Sequence, residues 1–319
     1  MTVLDVEPAA PAKIHHDDSV RRAQKWRRAV TGWSFAAPFT VLFVVFMALP
    51  VLASLVLSVT DLRATDLRNP FAVNFVGIDN FTRLFSDELF LKSAANTAIF
   101  VVVGVPLTMV LALAAASGLN SGLIRFRALF RVGFYLPVVT SIVAIAVVWR
   151  FLLNPDVGLV NMVLGAVGID GPAWLADPAL SMPSIIAMAV WRNLGFAMIV
   201  FLAGMQAIPA SLYEAASIDG ASPLQQIKSI TVPLLGPTIS LVLILQVLAS
   251  LKVFDQIFLL LQGGPDKATR PAIQYIYDTG FTSYRGGYGA AATMVYFVTL
   301  VVVSATWALL RRRRQQVAA

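Results

Sequence analysis

Residues 41–47 read Val41-Leu42-Phe43-Val44-Val45-Phe46-Met47. No helical register gives this stretch a polar face, whereas a helix at the surface of a water-soluble domain shows one. It lies inside an apolar block, 33–59, that is 27 residues long. A helix needs about 20 consecutive, mostly apolar residues to cross a hydrocarbon core. Blocks 96–116, 132–153, 182–206, 233–261 and 290–310 also meet that length, and Leu300-Val301-Val302-Val303 in the last again lacks a polar face. The reading is an all-α polytopic membrane protein with six transmembrane helices.

Composition agrees. Of 319 residues, 58% are hydrophobic and only 13% charged, against about 25% charged in soluble domains. This apolar content excludes a disordered chain. The absence of cysteine excludes a disulfide scaffold and a thiolate metal site. A soluble enzyme would carry more surface charge, and no His cluster, Ser/His/Asp set or paired intramembrane carboxylates suggests catalysis. Gly104, Pro106, Pro137, Gly195 and Gly204 interrupt the blocks and point to kinks and close helix contacts. The first block exceeds a signal h-region of about 7–15 residues and is read as an uncleaved span.

Sidedness follows from Lys and Arg in the short loops. One face collects Lys13, Arg21, Arg22, Lys25, Arg27, Arg28, Arg125, Arg127, Arg131, Lys228 and 311–314, fourteen in all. The other holds Arg63, Arg68, Arg83, Lys92, Lys267, Arg270 and Arg285, and loop 154–181 has three Asp and no cation. Both termini are therefore expected in the cytoplasm. The net charge of +7 reports topology rather than nucleic-acid binding. The chain divides into a basic tail (1–32), a membrane domain (33–310) and an Arg-rich tail (311–319). Segment 19–30, with Trp26 and Trp33 near the interface, can lie against anionic lipid. His15 and His16 read as a solvated pair, so no metal site is expected.

The fourth loop, 208–233, contains Tyr213-Glu214-Ala215-Ala216-Ser217-Ile218-Asp219-Gly220-Ala221-Ser222-Pro223-Leu224-Gln225. It reads as two short helices around a tight turn. Leu212, Ala215 and Ala216 share a face of the first. Gly220 stands where a helix C′ residue adopts the left-handed conformation. Ser222, Pro223 and Gln225 supply an N-cap, an N1 proline and a capping-box partner. Pro233 is expected to end the second helix and start the fifth span. Such a hairpin suits docking into a groove, or is an ordinary ordered loop.

Glu214-Ala215-Ala216, Gly220, Ile230 and Val232-Pro233 resemble, in identity and spacing, the EAA loop of permease subunits of binding-protein-dependent ABC importers, with Val232 where that pattern has Leu. Ile208-Pro209, Tyr213 and 218–222 are similar to the carbohydrate branch. Further matches are Gly77-Ile78-Asp79-Asn80-Phe81, Asn96-Thr97, Trp149, Asn154-Pro155, Gly158-Leu159-Val160-Asn161 and Gly263-Gly264-Pro265. The resemblance covers all but about the first 30 residues.

It implies a permease in a bacterial cell membrane, paired with a second permease, two copies of a cytoplasmic ATPase and an extracytoplasmic solute-binding protein. ATP and Mg2+ would belong to the ATPase, since this chain has no phosphate-binding Gly-x-x-x-x-Gly-Lys-Ser/Thr loop and binds no cofactor of its own. The loop between spans four and five would be the coupling helix–turn–helix. Glu214 would contact the ATPase, Ala215 and Ala216 would permit close approach, Gly220 would turn the chain, and Asp219 would cap or pair locally.

Charged groups within spans are costly and are functional candidates by default. Arg150 is expected to snorkel from the third span. Lys252 and Asp255, three apart, are placed to pair on one face of the fifth. The resemblance implies a substrate path along Trp191, Asn193, Gly195 and Phe196 in the fourth span, and Ala249, Ser250 and Val253 in the fifth. Arg192 and Lys252 join that set as embedded cations. Plain helix packing competes with a ligand role at each position. The solute implied is a di- or oligosaccharide. The embedded cations leave room for glycerol-3-phosphate or a glycerophosphodiester. An ATP-independent carrier or channel is a further alternative, against which the lack of an inverted repeat counts.

Overall fold

The computed structural model describes residues 18–63, 66, 73–121, 125–261 and 264–317. His15, His16, Arg68 and Gly263, and with them the tail to residue 17, lie outside the described residues. Among those described the chain is helical and forms no strand, only an isolated bridge between Thr60 and Phe75. It divides into two units, 1–54 and 55–319.

The first unit contains α1 (Asp18–Phe43), a π-helical turn (Val44–Ala48) and most of α2 (Leu49–Ser58). The apolar side chains of Val41, Leu42, Phe46 and Met47 are exposed, as suits a helix solvated by lipid tails. A proline inside a helix loses one hydrogen bond, and its ring meets the carbonyl four residues back. Here the turn before Pro50 is widened, with the Leu49 amide donating to Val44 O, five residues back. Such π-bulges accommodate an irregular residue without ending the helix.

The second unit is built around α4 (Glu88–Asn120) and α8 (Pro178–Gln206), which share the most extensive interhelical contact. Each starts at an aspartate cap. Asp87 accepts from the Leu89 and Phe90 amides at 2.9 and 3.1 Å, and Asp177 from Ala179 at 2.8 Å ahead of Pro178. Such caps satisfy amides that a helix start leaves unpaired. Around α8, Met182, Ile185, Met188 and Val190 pack with Phe100, Ile145, Val253 and Ile257. Nearer its other end Met198, Phe201 and Met205 pack with Ala112, Ala116, Leu119, Leu235 and Val242.

Among the described residues four helices are long and apolar enough to cross a membrane: Trp26–Ser58, Glu88–Asn120, Pro178–Gln206 and Gly286–Arg312. Two bent pairs raise the number to six. They are α5 (Arg127–Val139) with α6 (Ile142–Leu152), meeting at 101°, and Pro223–Leu234 with Gly236–Leu251, meeting at 73°. Five of the six sequence blocks fall on these elements to within a residue, while 233–261 runs past Leu251, through a break, to Leu261. The third and fifth are broken, which an apolar run does not reveal.

The remaining elements, in chain order, are α3 (Asp79–Phe85), α7 (Leu159–Ala166), α9 (Ala210–Ile218), α10 (Pro223–Gln226), α11 (Val232–Leu234), α12 (Gly236–Leu251), α13 (Asp255–Leu261), α14 (Ala272–Tyr277) and α15 (Gly286–Val317). Pro233 does not end its helix as the sequence suggested. A second π turn, Ile227–Thr231, precedes it, with the Val232 amide donating to Ile227 O, and the helix runs on to Leu234. The bend comes one residue later, before Gly236 and Pro237.

Candidate functional site

The fourth loop folds as a hairpin of α9 and α10, and its turn is fully bonded. Gly220 has φ +78°. Its amide donates to Ser217 O at 3.1 Å, and that of Ala221 donates to Ala216 O at 2.9 Å. This pair of bonds is the Schellman arrangement. On the far side of the turn the capping box closes: the Ser222 amide donates to Gln225 Oε1 at 2.7 Å, and the Gln225 amide to Ser222 Oγ at 3.4 Å. Two side-chain links then join the arms. Tyr213 Oη and Thr231 Oγ1 lie 2.9 Å apart. Gln226 Nε2 donates to Ser217 Oγ at 2.9 Å.

On this frame Glu214 and Ala215 are exposed, Ala216 is half-buried, and Asp219 and Gly220 are exposed at the tip. The Glu214 side chain has no hydrogen bond or ion pair among the described residues, so its charge is free to meet a partner. Asp219 supplies the C-cap backbone, and its carboxylate has no local partner among them. The inward face carries Tyr213 and Ala216, while Leu212 and Ala215 are exposed. Sequence reasoning missed Ile218 and Leu224, 86% and 74% exposed on either side of the tip. Large apolar side chains on an otherwise polar loop were the available signal.

The positions expected to line a substrate path separate into open and packed ones. Trp191 is 46% exposed and pairs with Trp149, ring centroids 5.9 Å apart. Trp191 and Leu194 of α8, with Phe130, Phe134 and Pro137 of α5, line a cavity of about 400 Å³. Phe196 is exposed. Arg192 and Asn193 are half-buried, and Arg192 Nε is enclosed without a hydrogen-bond partner among the described residues. In the fifth span Ser250 and Val253 are buried, and Lys252 is exposed. Val253 packs with Met188 and Val190, which brings the two stretches together.

Two expectations for the embedded cations are corrected. Lys252 and Asp255 form no ion pair, because α12 ends at Leu251 and the backbone breaks before Asp255. Tyr296 Oη donates to Leu251 O at that break. Arg150 does not snorkel freely. Its Nη2 donates to Leu259 O and Leu260 O, both at 2.8 Å, so a cation caps the C-terminal carbonyls of α13.

The dispersed motif residues serve as staples. Asn80 Nδ2 donates to Ser58 O and Thr60 O at 2.9 and 2.8 Å. Asn96 Nδ2 donates to Lys267 O and Arg270 O, and the Ala272 amide donates to Thr97 Oγ1. Asn161 Nδ2 donates to Pro155 O and Pro172 O, while Trp174 Nε1 donates to Asn161 Oδ1 at 2.7 Å. Asp87, besides capping α4, accepts from Tyr275 Oη at 2.6 Å and Tyr288 Oη at 3.2 Å. Burial pushes its carboxyl up, but the Tyr275 hydroxyl, the Phe90 and Leu89 amides and Tyr288 outweigh burial and hold it below the usual carboxylate range.

Residues 104–316 match the family described as "Binding-protein-dependent transport system inner membrane component". The lactose transport system permease protein LacF of Rhizobium radiobacter is 38% identical over 277 residues, covering 86% of this chain and 90% of LacF. The trehalose/maltose transport system permease protein MalF of Thermococcus litoralis is 34% identical, covering 91% of this chain and 96% of that one. Among solved structures, a chain of a bacterial ABC transporter involved in the import of the acidic polysaccharide alginate superposes with a TM-score of 0.78 at 28% identity, covering 92% of this chain and 99% of its own. The same kind of transporter, solved with an alginate pentasaccharide-bound periplasmic protein, gives a TM-score of 0.77 at 27% identity, covering 91% and 96%.

Proposed function

We propose, since the chain belongs to the family of binding-protein-dependent transport system inner membrane components, that it forms one half of the translocation pathway of an ATP-driven sugar importer. It is a multi-pass membrane permease and not an enzyme. Its solute is a di- or oligosaccharide handed over by an extracytoplasmic binding protein. The relatives supporting this class are named for lactose and for trehalose/maltose. The proposed assembly adds a second permease and two copies of a cytoplasmic ATPase, which holds ATP and Mg2+. Both termini lie in the cytoplasm, with 1–32 and 311–319 as basic tails around a membrane domain at 33–310.

One observation supports the coupling role: a hairpin capped on both sides of its turn and cross-linked between its arms presents Glu214, Ala215, Asp219 and Gly220 outward, with Ile218 and Leu224 beside the tip. A rigid, exposed projection with an unpaired carboxylate and apolar flanks suits insertion into a cleft of a moving partner. ATP binding then biases transport only if the ATPase holds the hairpin differently in its two states. The substrate path runs past Trp191, Arg192, Asn193 and Phe196 on α8 and Ser250, Lys252 and Val253 on the fifth span. Aromatic faces stack on sugar rings, and the Asn and Ser side chains bond hydroxyls. A second reading, an acidic saccharide, rests on Arg192, a half-buried guanidinium whose Nε has no hydrogen-bond partner among the described residues and which would pair with a carboxylate.

The test is uptake into proteoliposomes holding this chain, its partner permease, the ATPase and the binding protein. Labelled lactose, maltose, trehalose and an alginate oligosaccharide are compared with glycerol-3-phosphate. ATP-dependent uptake of a saccharide is expected. Uptake of glycerol-3-phosphate alone would overturn the assignment.

A further inference from the structure

We infer that Tyr213 and Thr231 form a strut that makes the fourth loop move as one body with the start of the fifth span. The inference rests on the importer reading for its consequence in transport, and on geometry for the strut itself. Tyr213 lies on α9 immediately before Glu214, the residue offered to the ATPase. Thr231 closes the π turn that leads through Pro233 to the 73° bend. Their hydroxyls, 18 residues apart in sequence, meet at 2.9 Å.

Either hydroxyl can donate in this pair. Thr231 has a single hydroxyl proton, and its Oγ1 also lies 3.5 Å from Gln226 O, five residues back across the π turn. If Thr231 donates there, its oxygen lone pair accepts from Tyr213 Oη. Thr231 is 3% exposed and Tyr213 half-buried, so water competes poorly for either hydroxyl. At the tip the Ser217–Gln226 bond ties the arms a second time, and Ser217 Oγ in turn donates to Tyr213 O at 2.8 Å. The hairpin is therefore cross-linked at its tip and at its base. The base link decides whether a displacement at Glu214 reaches α12 or is absorbed at the π turn, where the helix ladder is already widened. Tyr213 is thus a positioning residue for coupling, acting through Thr231.

The chain has no cysteine, so introduced ones are its sole thiol-labelling sites once partner subunits without reactive cysteines are used. Ser211→Cys on α9 and Leu241→Cys on α12, both exposed, carry spin labels in the assembled transporter, measured without nucleotide and after trapping with ATP and vanadate. The parent is expected to keep one narrow inter-label distance distribution in both states. Tyr213→Phe and Thr231→Val, each removing one hydroxyl, broaden it, and Thr231→Ser retains the parental width. Transport is read in proteoliposomes with whichever of lactose, maltose or trehalose the parent takes up. Saccharide moved per ATP hydrolysed falls roughly five- to tenfold in Tyr213→Phe and in Thr231→Val, the factor of about one hydrogen bond, and recovers with Thr231→Ser. Distributions as narrow as the parent's in Tyr213→Phe and Thr231→Val would overturn the strut, as would an unchanged ratio. A parent that takes up no saccharide would count against the importer reading, and the spin-label arm would still decide the strut.

Discussion

Replacing Gly195 by alanine tests how closely α8 must approach α5. A Cβ at this position would sit 2.0 Å from the Phe134 carbonyl oxygen, 2.7 Å from its carbonyl carbon and 2.9 Å from Tyr135 Cα. Carbon–oxygen contacts settle at about 3.3–3.6 Å, so α5 must retreat by more than about 1 Å. The obstacle is backbone, and no rotamer change relieves it. Overpacking costs about 1–3 kcal/mol, and the rigid obstacle places Gly195→Ala at the upper end. Alanine regains about 0.5–1 kcal/mol of helix propensity. The net loss of about 2 kcal/mol is roughly a 30-fold fall in the folded ratio. Gly133→Ala, on α5 in the same helix pair, is the control, since nothing lies within 4 Å of its added Cβ. Unfolding of the purified chain in mixed micelles should show Gly195→Ala markedly less stable than the parent, and Gly133→Ala equal or more stable. Equal stability of the two variants would refute the close-approach argument. The same shift would open the cavity beside Trp191, so residual uptake by Gly195→Ala should be weak.

Other outcomes follow from single residues. Asp87→Asn should cost about 1–3 kcal/mol at neutral pH through its charge-assisted bonds to Tyr275 and Tyr288. The folded carboxyl lies below its ordinary value, so this contribution is full above about pH 4. It fades as pH falls through the lowered folded value, and unfolding of parent and variant should converge there. Asn161→Ala removes three bonds around loop 154–177, worth about 1 kcal/mol each; protease cleavage within that loop and a shifted Trp174 emission would register it. Gly220→Ala meets no atom within 4 Å but keeps φ +78°, a strain of about 1–2 kcal/mol. Amide exchange at Ala221 should therefore quicken about 5- to 30-fold.

The spans and the hairpin were legible because each rests on local chemistry. A 27-residue apolar run has few alternatives to spanning, and Gly220, Ser222, Pro223 and Gln225 specify a turn and caps within six residues. The breaks were not legible. Pro137 and Pro233 lie within helices that continue past them, while the bends fall at Thr140–Ser141 and at Leu235–Gly236. Where a helix bends depends on what its neighbours can satisfy, and no local pattern carries that. Arg150 shows the same limit: its partners are carbonyls 109 and 110 residues away. Which side of α9 turns inward was likewise not legible, because it is set by the Tyr213–Thr231 contact across the hairpin. Asn80, Asn96 and Asn161 were legible as motif positions, but their use as loop staples emerges only when distant backbones are brought beside them.

The proposed role of the fourth loop is to couple an ATPase partner to saccharide movement through this chain. Its most direct measurement is saccharide uptake and ATP hydrolysis in proteoliposomes of the full complex, comparing the parent with Glu214→Lys. Parental uptake is expected to require ATP and the binding protein. Glu214→Lys, at an exposed side chain without a partner among the described residues, is expected to stay in the membrane in parental amount but to lose saccharide-linked hydrolysis and uptake. Uptake by the parent without ATP, or full coupling in Glu214→Lys, would contradict the coupling role.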